Sequence, residues 1–275
     1  MTIPGGPMGA YGFSFRGVVG PLLSDFPDTW REINIRQVLA NRPAAAQLVT
    51  QTNAEFALAR GVSVAIERDP ARATFYVPEL LDGDELAHPY LVSVAAVHAY
   101  WRGFETFHAG GFIADNKAWI VLADRQGGKS SLMAALSAAG HSILSDDLIV
   151  TDHDRAFAGP RTIEMRGDAA EQFPGSRNLG VVGDRPRWRL DTDSVTPEVP
   201  LGGWLILRWG DMLGADLIKP PDRIQRLGDS RALRMTVRDP GRFLDLAALP
   251  MWELTRAQKW DHMNRTINLV RDITG

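Results

Sequence analysis

The feature that constrains this chain most is the segment ADRQGGKS, Ala123 to Ser130, which lies between an apolar run and a helix-forming run. The apolar run, Lys117 to Ala123, predicts a buried strand. The run from Ser130 to Ala139, rich in Leu, Met and Ala, predicts a helix that Gly140 ends. A strand, a glycine loop and a helix in this order direct backbone N–H groups toward an anion. The sequence therefore predicts a phosphate-binding loop in an α/β fold.

Each residue type in such a loop has its own task. Lys129 reaches the β- and γ-phosphates of a nucleotide, and the Ser130 hydroxyl ligates Mg²⁺. The departure is Ala123, where the pattern asks for glycine, and alanine serves there if its φ is negative. An ordinary Gly-Gly turn before a helix is the alternative. The predicted nucleotide-binding residues are consecutive: Ala123, Asp124, Arg125, Gln126, Gly127, Gly128, Lys129, Ser130 and Ser131.

A pair of acids follows the next predicted strand. Ile143 and Leu144 begin that strand, and Asp146 and Asp147 end it. Because such strand ends face the nucleotide, one carboxylate can hold Mg²⁺ while the other approaches the acceptor hydroxyl. We expect Asp147 to serve the metal and Asp146 to act on the acceptor. The alternative is a solvated acid pair in a loop.

The longer run from His108 to Val150 resembles the catalytic core of HPr kinase/phosphorylase and its smaller bacterial relatives. In that family a histidine precedes a hairpin, the hairpin leads into the phosphate loop, and an Asp-Asp pair closes the next strand. Here the hairpin strands are Gly111 to Ala114 and Lys117 to Ala123, joined by Asp115-Asn116, a pair that tolerates positive φ. The resemblance covers about residues 90 to 250.

The resemblance implies roles for several residues. His108 matches the family's histidine beside the transferred phosphate, and Glu164-Met165-Arg166-Gly167 looks like its Glu-Ile-Arg-Gly signature. Ser131 stands where the HPr kinases proper carry a glutamate, which points away from HPr as the substrate. The implied catalytic residues are His108, Lys129 and Asp146, the implied metal ligands are Ser130, Asp147 and Glu164, and the implied substrate-binding residue is Arg166.

The resemblance also implies the fold class and the domain division. It predicts an α/β, HPr kinase/PEP carboxykinase-like mixed sheet flanked by helices over residues 89–275, after a small N-terminal α+β unit over residues 1–88. In the N-terminal unit we expect strands at Tyr11 to Val19, Gly61 to Glu67 and Thr74 to Val77. A helix is expected within Trp30 to Leu58, where Ala45 is one of the recurring apolar positions and Pro43 should break the helix.

Further elements follow from periodicity. A helix with one buried face is predicted after Pro89, because its apolar residues fall three or four apart. Strands are expected at Trp204 to Trp209 and Asp216 to Ile218, and a terminal amphipathic helix at Leu254 to Arg271. Three alternating arginines predict one face of a strand, which is solvated or holds phosphate or an acidic peptide: Arg185, Arg187 and Arg189. Three tryptophans are expected in the core or an interface: Trp188, Trp204 and Trp209.

Composition excludes several classes of protein. The formal net charge of −3 offers no overall attraction to nucleic acid or an anionic membrane, so any anion must be bound locally. There are no cysteines, which excludes disulfides and thiolate chemistry. We find no secretory signal and no apolar run long enough to span a bilayer, and therefore expect a cytoplasmic protein.

These features together predict an enzyme that uses ATP and Mg²⁺ to phosphorylate a hydroxyl. The leading acceptor is a serine of a small protein or ribosomal peptide, since small relatives of HPr kinase are known to tailor such peptides, lasso peptides among them. A small-molecule kinase and a catalytically silent nucleotide-binding module that presents a peptide are the alternatives. The sequence leaves open whether the chain forms a homo-oligomer.

Overall fold

The first part of the chain forms a β-sheet because its apolar residues alternate along the sequence. The computed structural model describes residues 8–42, 48–182 and 185–275. Within these, a seven-stranded mixed sheet contains, in spatial order, β1 (Met8–Ala10), β2 (Phe13–Arg16), β3 (Arg31–Leu39), β7 (Arg72–Val77), β6 (Ser63–Glu67), β5 (Asn53–Ala57) and β4 (Leu48–Val49). The predicted strands at Gly61 to Glu67 and Thr74 to Val77 are confirmed as β6 and β7.

The helix predicted within Trp30 to Leu58 is wrong. Ile33 and Ile35 are buried on one face of β3, whereas Val38 and Leu39 are exposed. The true repeat is therefore two residues, as in a strand, and β-branched isoleucine favours that conformation. The expected break at Pro43 and the apolar position Ala45 lie outside the described residues.

The predicted helix after Pro89 is confirmed, and it packs on the first sheet. A one-turn helix α1 (Gly83–Glu85) and a π-type turn (Leu86–Tyr90) lead into α2 (Leu91–Arg102). Leu91, Val94 and Val97 of α2 share a core with residues of the sheet. The division of the chain at residue 88 remains a prediction.

The remaining described elements build a nine-stranded sheet, a three-stranded sheet and the flanking helices. In chain order they are β8 (Glu105–Phe107), β9 (Ala109–Ala114), β10 (Lys117–Ala123), α3 (Lys129–Ala138), β11 (Ser142–Ser145), β12 (Ile149–Asp152), β13 (Arg155–Phe157), β14 (Thr162–Met165), α4 (Gly167–Ala170), β15 (Arg177–Val182), β16 (Arg185–Asp191), β17 (Glu198–Trp209), β18 (Gly214–Leu217), α5 (Pro220–Asp229), α6 (Pro240–Ala248), β19 (Met251–Arg256) and α7 (Met263–Thr274). Mixed α/β architecture is thus confirmed.

Four strands of the nine-stranded sheet end at one edge. β9 pairs antiparallel with both β10 and β11, so β10 and β11 run in the same direction. β17 pairs parallel with β10, and β19 pairs parallel with β17. The carboxyl ends of β10, β11, β17 and β19 therefore lie at the same edge, where α/β sheets bind their ligands.

The local elements predicted around the glycines are confirmed. Asp115 and Asn116 join β9 to β10 with φ of 47° and 56°, the left-handed conformation that a tight hairpin requires. Helix α3 ends before Gly140, whose φ is 90°. The strands predicted near Trp204 and Asp216 correspond to β17 and β18.

The predicted terminal helix is confirmed only in its second half. Its first residues belong instead to β19, which adds to the sheet beside β17, and the helix α7 begins at Met263. Met251 and Leu254 are buried in β19, because a strand beside β17 is covered on both faces. Among the described residues, we find no helix with the length and apolar composition that spanning a bilayer requires.

Buried His98 of α2 makes stability depend on pH. Its ring packs edge-on against Trp101, with ring centroids 5.1 Å apart, and burial lowers its pKa to about 3. In the unfolded chain this histidine has an ordinary pKa of about 6.5. Its contribution to the free energy of unfolding is therefore fully present above that pH and is lost progressively as the pH decreases below it. We expect a loss of about 2 kcal/mol from this residue at pH 5.

Urea denaturation between pH 7 and pH 5 measures this loss. His98→Gln should flatten the dependence, whereas His153→Gln, at an exposed side chain, should leave it unchanged. An equally steep dependence in His98→Gln would contradict the assignment.

Candidate active site

A tight loop joins β10 to α3, and we call residues 124–128 the glycine loop. The Gly127 N–H donates to the Asp124 carbonyl at 2.9 Å, and Gly128 adopts a φ of 78° as the N-cap of α3. No side chain of the described residues caps α3, so its first N–H groups can bind an anion. Ala123 ends β10 and is not among the residues of positive φ, so alanine fits there without strain.

Lys129 and His108 contact each other at the start of α3. Lys129 Nζ lies 3.2 Å from His108 Nε2, and His108 Nδ1 lies 3.0 Å from the Asp147 carbonyl oxygen. Partial desolvation, followed by the charge of Lys129, lowers the pKa of His108. A neutral ring whose Nδ1–H donates to Asp147 can accept a hydrogen bond from the ammonium, and the lysine is thereby held at the glycine loop.

Asp146 lies buried beneath the glycine loop. The Ser130 hydroxyl donates to Asp146 Oδ2 at 3.0 Å, and the Glu164 N–H donates to the same oxygen at 3.3 Å. Asp146 Oδ1 is buried and has no hydrogen-bond partner among the described residues. Burial, and then the charge of Asp147, raises the pKa of Asp146 to about 7. A carboxylate with one unsatisfied buried oxygen, beside a hydroxyl, is a suitable ligand pair for a hard cation.

Asp147 faces a different group from Asp146, because its φ of 69° turns the chain sharply. Its Oδ2 lies 3.3 Å from Nε2 of the buried His88, and its side chain is 28% exposed. Asp147 therefore presents a carboxylate to solvent with a histidine behind it. The two acids of the pair are not equivalent.

Glu164 is engaged by an arginine. In the three-stranded sheet it is directly opposite Arg189, and Arg189 Nη2 lies 2.8 Å from Glu164 Oε1. The same oxygen lies 3.3 Å from His88 Nδ1, so His88 contacts both Asp147 and Glu164. The described residues contain no group of three or more acids and histidines arranged to hold a metal.

The predicted residues other than Ala123 and Asp146 line one cleft of about 600 Å³. Its walls include His108, residues 124–131, Asp147 and Glu164, and the exposed Arg166 lines its rim. Asp146 lies beneath it and touches Ser130. The sequence therefore identifies residues that the fold brings together, and their chemical roles remain predictions.

Several cleft residues were not predicted as site residues. Arg256 has no local signal in the sequence, because its partners come from distant segments of the chain. The same holds for His88, which is buried behind Asp147 and Glu164 rather than on the cleft wall. Trp209, expected in the core or an interface, lies on the cleft wall and is 39% exposed, whereas Trp204 is fully buried. Of the three alternating arginines, Arg189 is buried in its ion pair, Arg187 lines the cleft, and the side chain of Arg185 lies outside the described residues. The third tryptophan, Trp188, is half-buried beside Gly167.

No protein-family model matches the chain, and no curated protein matches its sequence. Among solved structures, the HPr(Ser) kinase/phosphatase from Coxiella burnetii is similar at a TM-score of 0.31 and 15% identity, covering 62% of this chain and 95% of that one. A likeness this distant assigns neither a family nor an activity.

The Arg189–Glu164 pair should be important for stability. Arg189→Met would leave the Glu164 carboxylate buried without its guanidinium, and we expect a loss of about 3–5 kcal/mol in the free energy of unfolding. The double variant with Glu164→Gln should recover part of that loss, because no buried charge remains unpaired.

Urea denaturation of the single and double variants is the measurement. Arg16→Met, which removes an exposed ion pair with Glu32, is the control and should change little. Equal losses for Arg189→Met and Arg16→Met would show that the buried pair does not stabilise the fold.

Proposed function

We propose that this protein is a Mg²⁺-dependent kinase that transfers the γ-phosphate of ATP to a hydroxyl group. The observation that carries the proposal is the contact between Ser130 and the buried Asp146 at the uncapped start of α3, with Lys129 beside it. Helix N–H groups suited to an anion, a hydroxyl and carboxylate suited to a cation, and a nearby lysine would together supply the components that phosphoryl transfer requires.

The glycine loop would hold the phosphates. N–H groups at the start of α3 supply partial positive charge, and Lys129 would exchange its contact with His108 for a phosphate oxygen. A neutral His108 suits this exchange, because it holds the ammonium without neutralising its charge. Both groups would stabilise negative charge as it develops during transfer.

Ser130 and Asp146 would hold the Mg²⁺ ion. When bound, Mg²⁺ would supply positive charge that offsets the negative charge of the phosphates. The unsatisfied Oδ1 of Asp146 supports this assignment. Glu164 is the weaker candidate as a ligand, because Arg189 already neutralises its carboxylate.

Asp147 would act on the acceptor. Its carboxylate is open to the cleft, and the buried His88 ring lies behind it with Nε2 at 3.3 Å. The acceptor oxygen would attack the γ-phosphorus, the bond to the ADP oxygen would break, and the hydroxyl proton would pass to Asp147. This division reverses the roles expected from the sequence, since Asp146 rather than Asp147 contacts Ser130.

The proposed acceptor is a serine hydroxyl of a small protein or ribosomal peptide, lasso peptide precursors included. Resemblance in sequence to the small HPr kinase relatives supports this choice, and the exposed Arg166 on the cleft rim would contact such a substrate. Phosphate transfer assayed with serine-containing peptides and with small alcohols distinguishes a peptide kinase from a small-molecule kinase. Nucleotide binding without turnover on any acceptor would instead indicate a silent module.

Replacing Lys129 should abolish most nucleotide affinity. Lys129→Met removes a charge-assisted contact to phosphate, and we expect ATP to bind about 10- to 100-fold more weakly. Isothermal titration calorimetry with Mg·ATP is the measurement. Lys117→Met, at an exposed lysine on the opposite end of β10, is the matched control. Equal affinity in both variants would exclude the glycine loop as the nucleotide site.

Changing each of the two aspartates to asparagine should have a different effect. Asp146→Asn should weaken binding of Mg·ATP, while nucleotide binding in the presence of a chelator changes little. Asp147→Asn should keep Mg·ATP affinity and slow transfer by about 10²- to 10⁴-fold.

Affinity with and without Mg²⁺, together with single-turnover transfer rates, gives both readouts. If Asp147→Asn weakens Mg·ATP binding and Asp146→Asn slows only the transfer, the roles expected from the sequence are correct. Full activity in both variants would show that neither aspartate takes part in the mechanism.

A further inference from the structure

Arg256 is a buried arginine at the cleft that the mechanism above does not use. It ends β19 at the same edge as the glycine loop, and only 3% of its surface is exposed. Its Nη2 donates to the Gly128 carbonyl at 3.0 Å, and its guanidinium carbon lies 4.3 Å from the ring centroid of Trp209. The guanidinium is therefore fixed beside the start of α3.

Its charge has no counter-ion among the described residues. Within the described ranges, its remaining polar contact is from Nη1 to the Met263 sulfur, a weak acceptor at 4.0 Å, and Nε has no hydrogen-bond partner. Burial lowers the pKa of Arg256 to about 10, with no carboxylate to oppose the effect. A guanidinium has five N–H donors, and a buried charge without a partner is unfavourable.

Other buried arginines show the usual arrangement. Arg189 pairs with Glu164 at 2.8 Å. Arg223, 7% exposed, donates to the carbonyl oxygens of Ile218, Ala248 and Leu249 at 2.8 to 3.1 Å. Unlike these two arginines, Arg256 lines the cleft and has N–H donors without an acceptor among the described residues.

The glycine loop is shaped to admit this arginine. A Cβ atom on Gly128 would lie 2.2 Å from Arg256 Nη2 and 2.8 Å from the Trp209 ring. Trp209 is itself tied to the loop, since its indole N–H donates to the Gln126 carbonyl at 3.2 Å. Gly128, Trp209 and Arg256 thus form one unit at the phosphate end of the cleft.

We propose that Arg256 binds the phosphate groups of the nucleotide held by the glycine loop, which supply the anion that the arginine lacks in the free protein. This inference rests on the proposed function and adds an anion ligand to it. Planar guanidinium donors suit phosphate oxygens, and stacking on Trp209 keeps them oriented before the nucleotide arrives.

Arg256→Met tests the proposal through two readouts. In the free protein, an unpaired buried cation is replaced by an apolar side chain, so the melting temperature should stay equal or rise. Affinity for ATP and for inorganic tripolyphosphate, measured by calorimetry, should fall about 10- to 100-fold. Arg256→Lys keeps the charge but not the planar fork, and should bind with intermediate affinity.

Arg223→Met is the control, because that arginine is buried, donates to three carbonyl oxygens and contacts residues at the other end of β19 from the glycine loop. It should lower the melting temperature and leave tripolyphosphate affinity unchanged. If Arg256 had only a structural role, Arg256→Met would also lower the melting temperature and leave tripolyphosphate affinity unchanged. That result would overturn the proposal.

The outcomes separate this proposal from the one on which it rests. If the wild-type protein binds neither ATP nor tripolyphosphate, both the proposed function and the role of Arg256 are wrong. Wild type that binds both ligands no better than Arg256→Met would overturn the role of Arg256 and leave the glycine loop as the nucleotide site. If Arg256→Met does not fold, Arg256→Lys decides, and unchanged affinity in that variant would overturn the proposal.

Discussion

The hydrogen bond between Ser130 and Asp146 joins the start of α3 to the end of β11, and the site depends on it. It requires β10 and β11 to run in the same direction, so that the glycine loop and the acid pair reach one edge of the sheet. The residue that accepts this bond, Asp146, is only 2% exposed, so its carboxylate is buried. Burying a carboxylate is costly, and a bound cation would offset that cost.

Local charge, rather than net charge, determines what this cleft can bind. The chain as a whole carries a formal charge of −3, yet Lys129 and Arg256 lie at the glycine loop without a carboxylate partner among the described contacts. Glu164, in contrast, is neutralised by Arg189. The cleft therefore combines positive charge near the loop with the buried Asp146 beneath it and the part-exposed Asp147 on its wall. A metal-bound polyphosphate would match this arrangement.

Sequence alone predicts the elements whose signals are local. The hairpin at Asp115-Asn116, the loop, and the helix ended by Gly140 each depend on residues adjacent in the chain. The helix predicted within Trp30 to Leu58 is wrong because Val38 and Leu39 are apolar yet exposed, so they imitate a helical repeat. The sequence does not predict strand β19 for a related reason, since the spacing of its apolar residues also suits a helix.

The site residues that sequence did not identify depend on contacts between distant segments. His88 becomes part of the site only because Asp147, which follows β11, and Glu164 of β14 both meet it. Arg256 matters because β19 ends beside the glycine loop, and nothing in its neighbours specifies that parallel pairing. Such residues follow from topology, which local periodicity does not determine.

A crystal structure of the protein with ADP and Mg²⁺ decides whether this cleft holds the nucleotide. Our expectation is that the phosphates lie on the N–H groups of residues 127–130, with the metal ion bound by Ser130 and Asp146. A nucleotide bound elsewhere, or phosphates on the loop with Asp146 still bonded to Ser130 and no metal beside them, would contradict it.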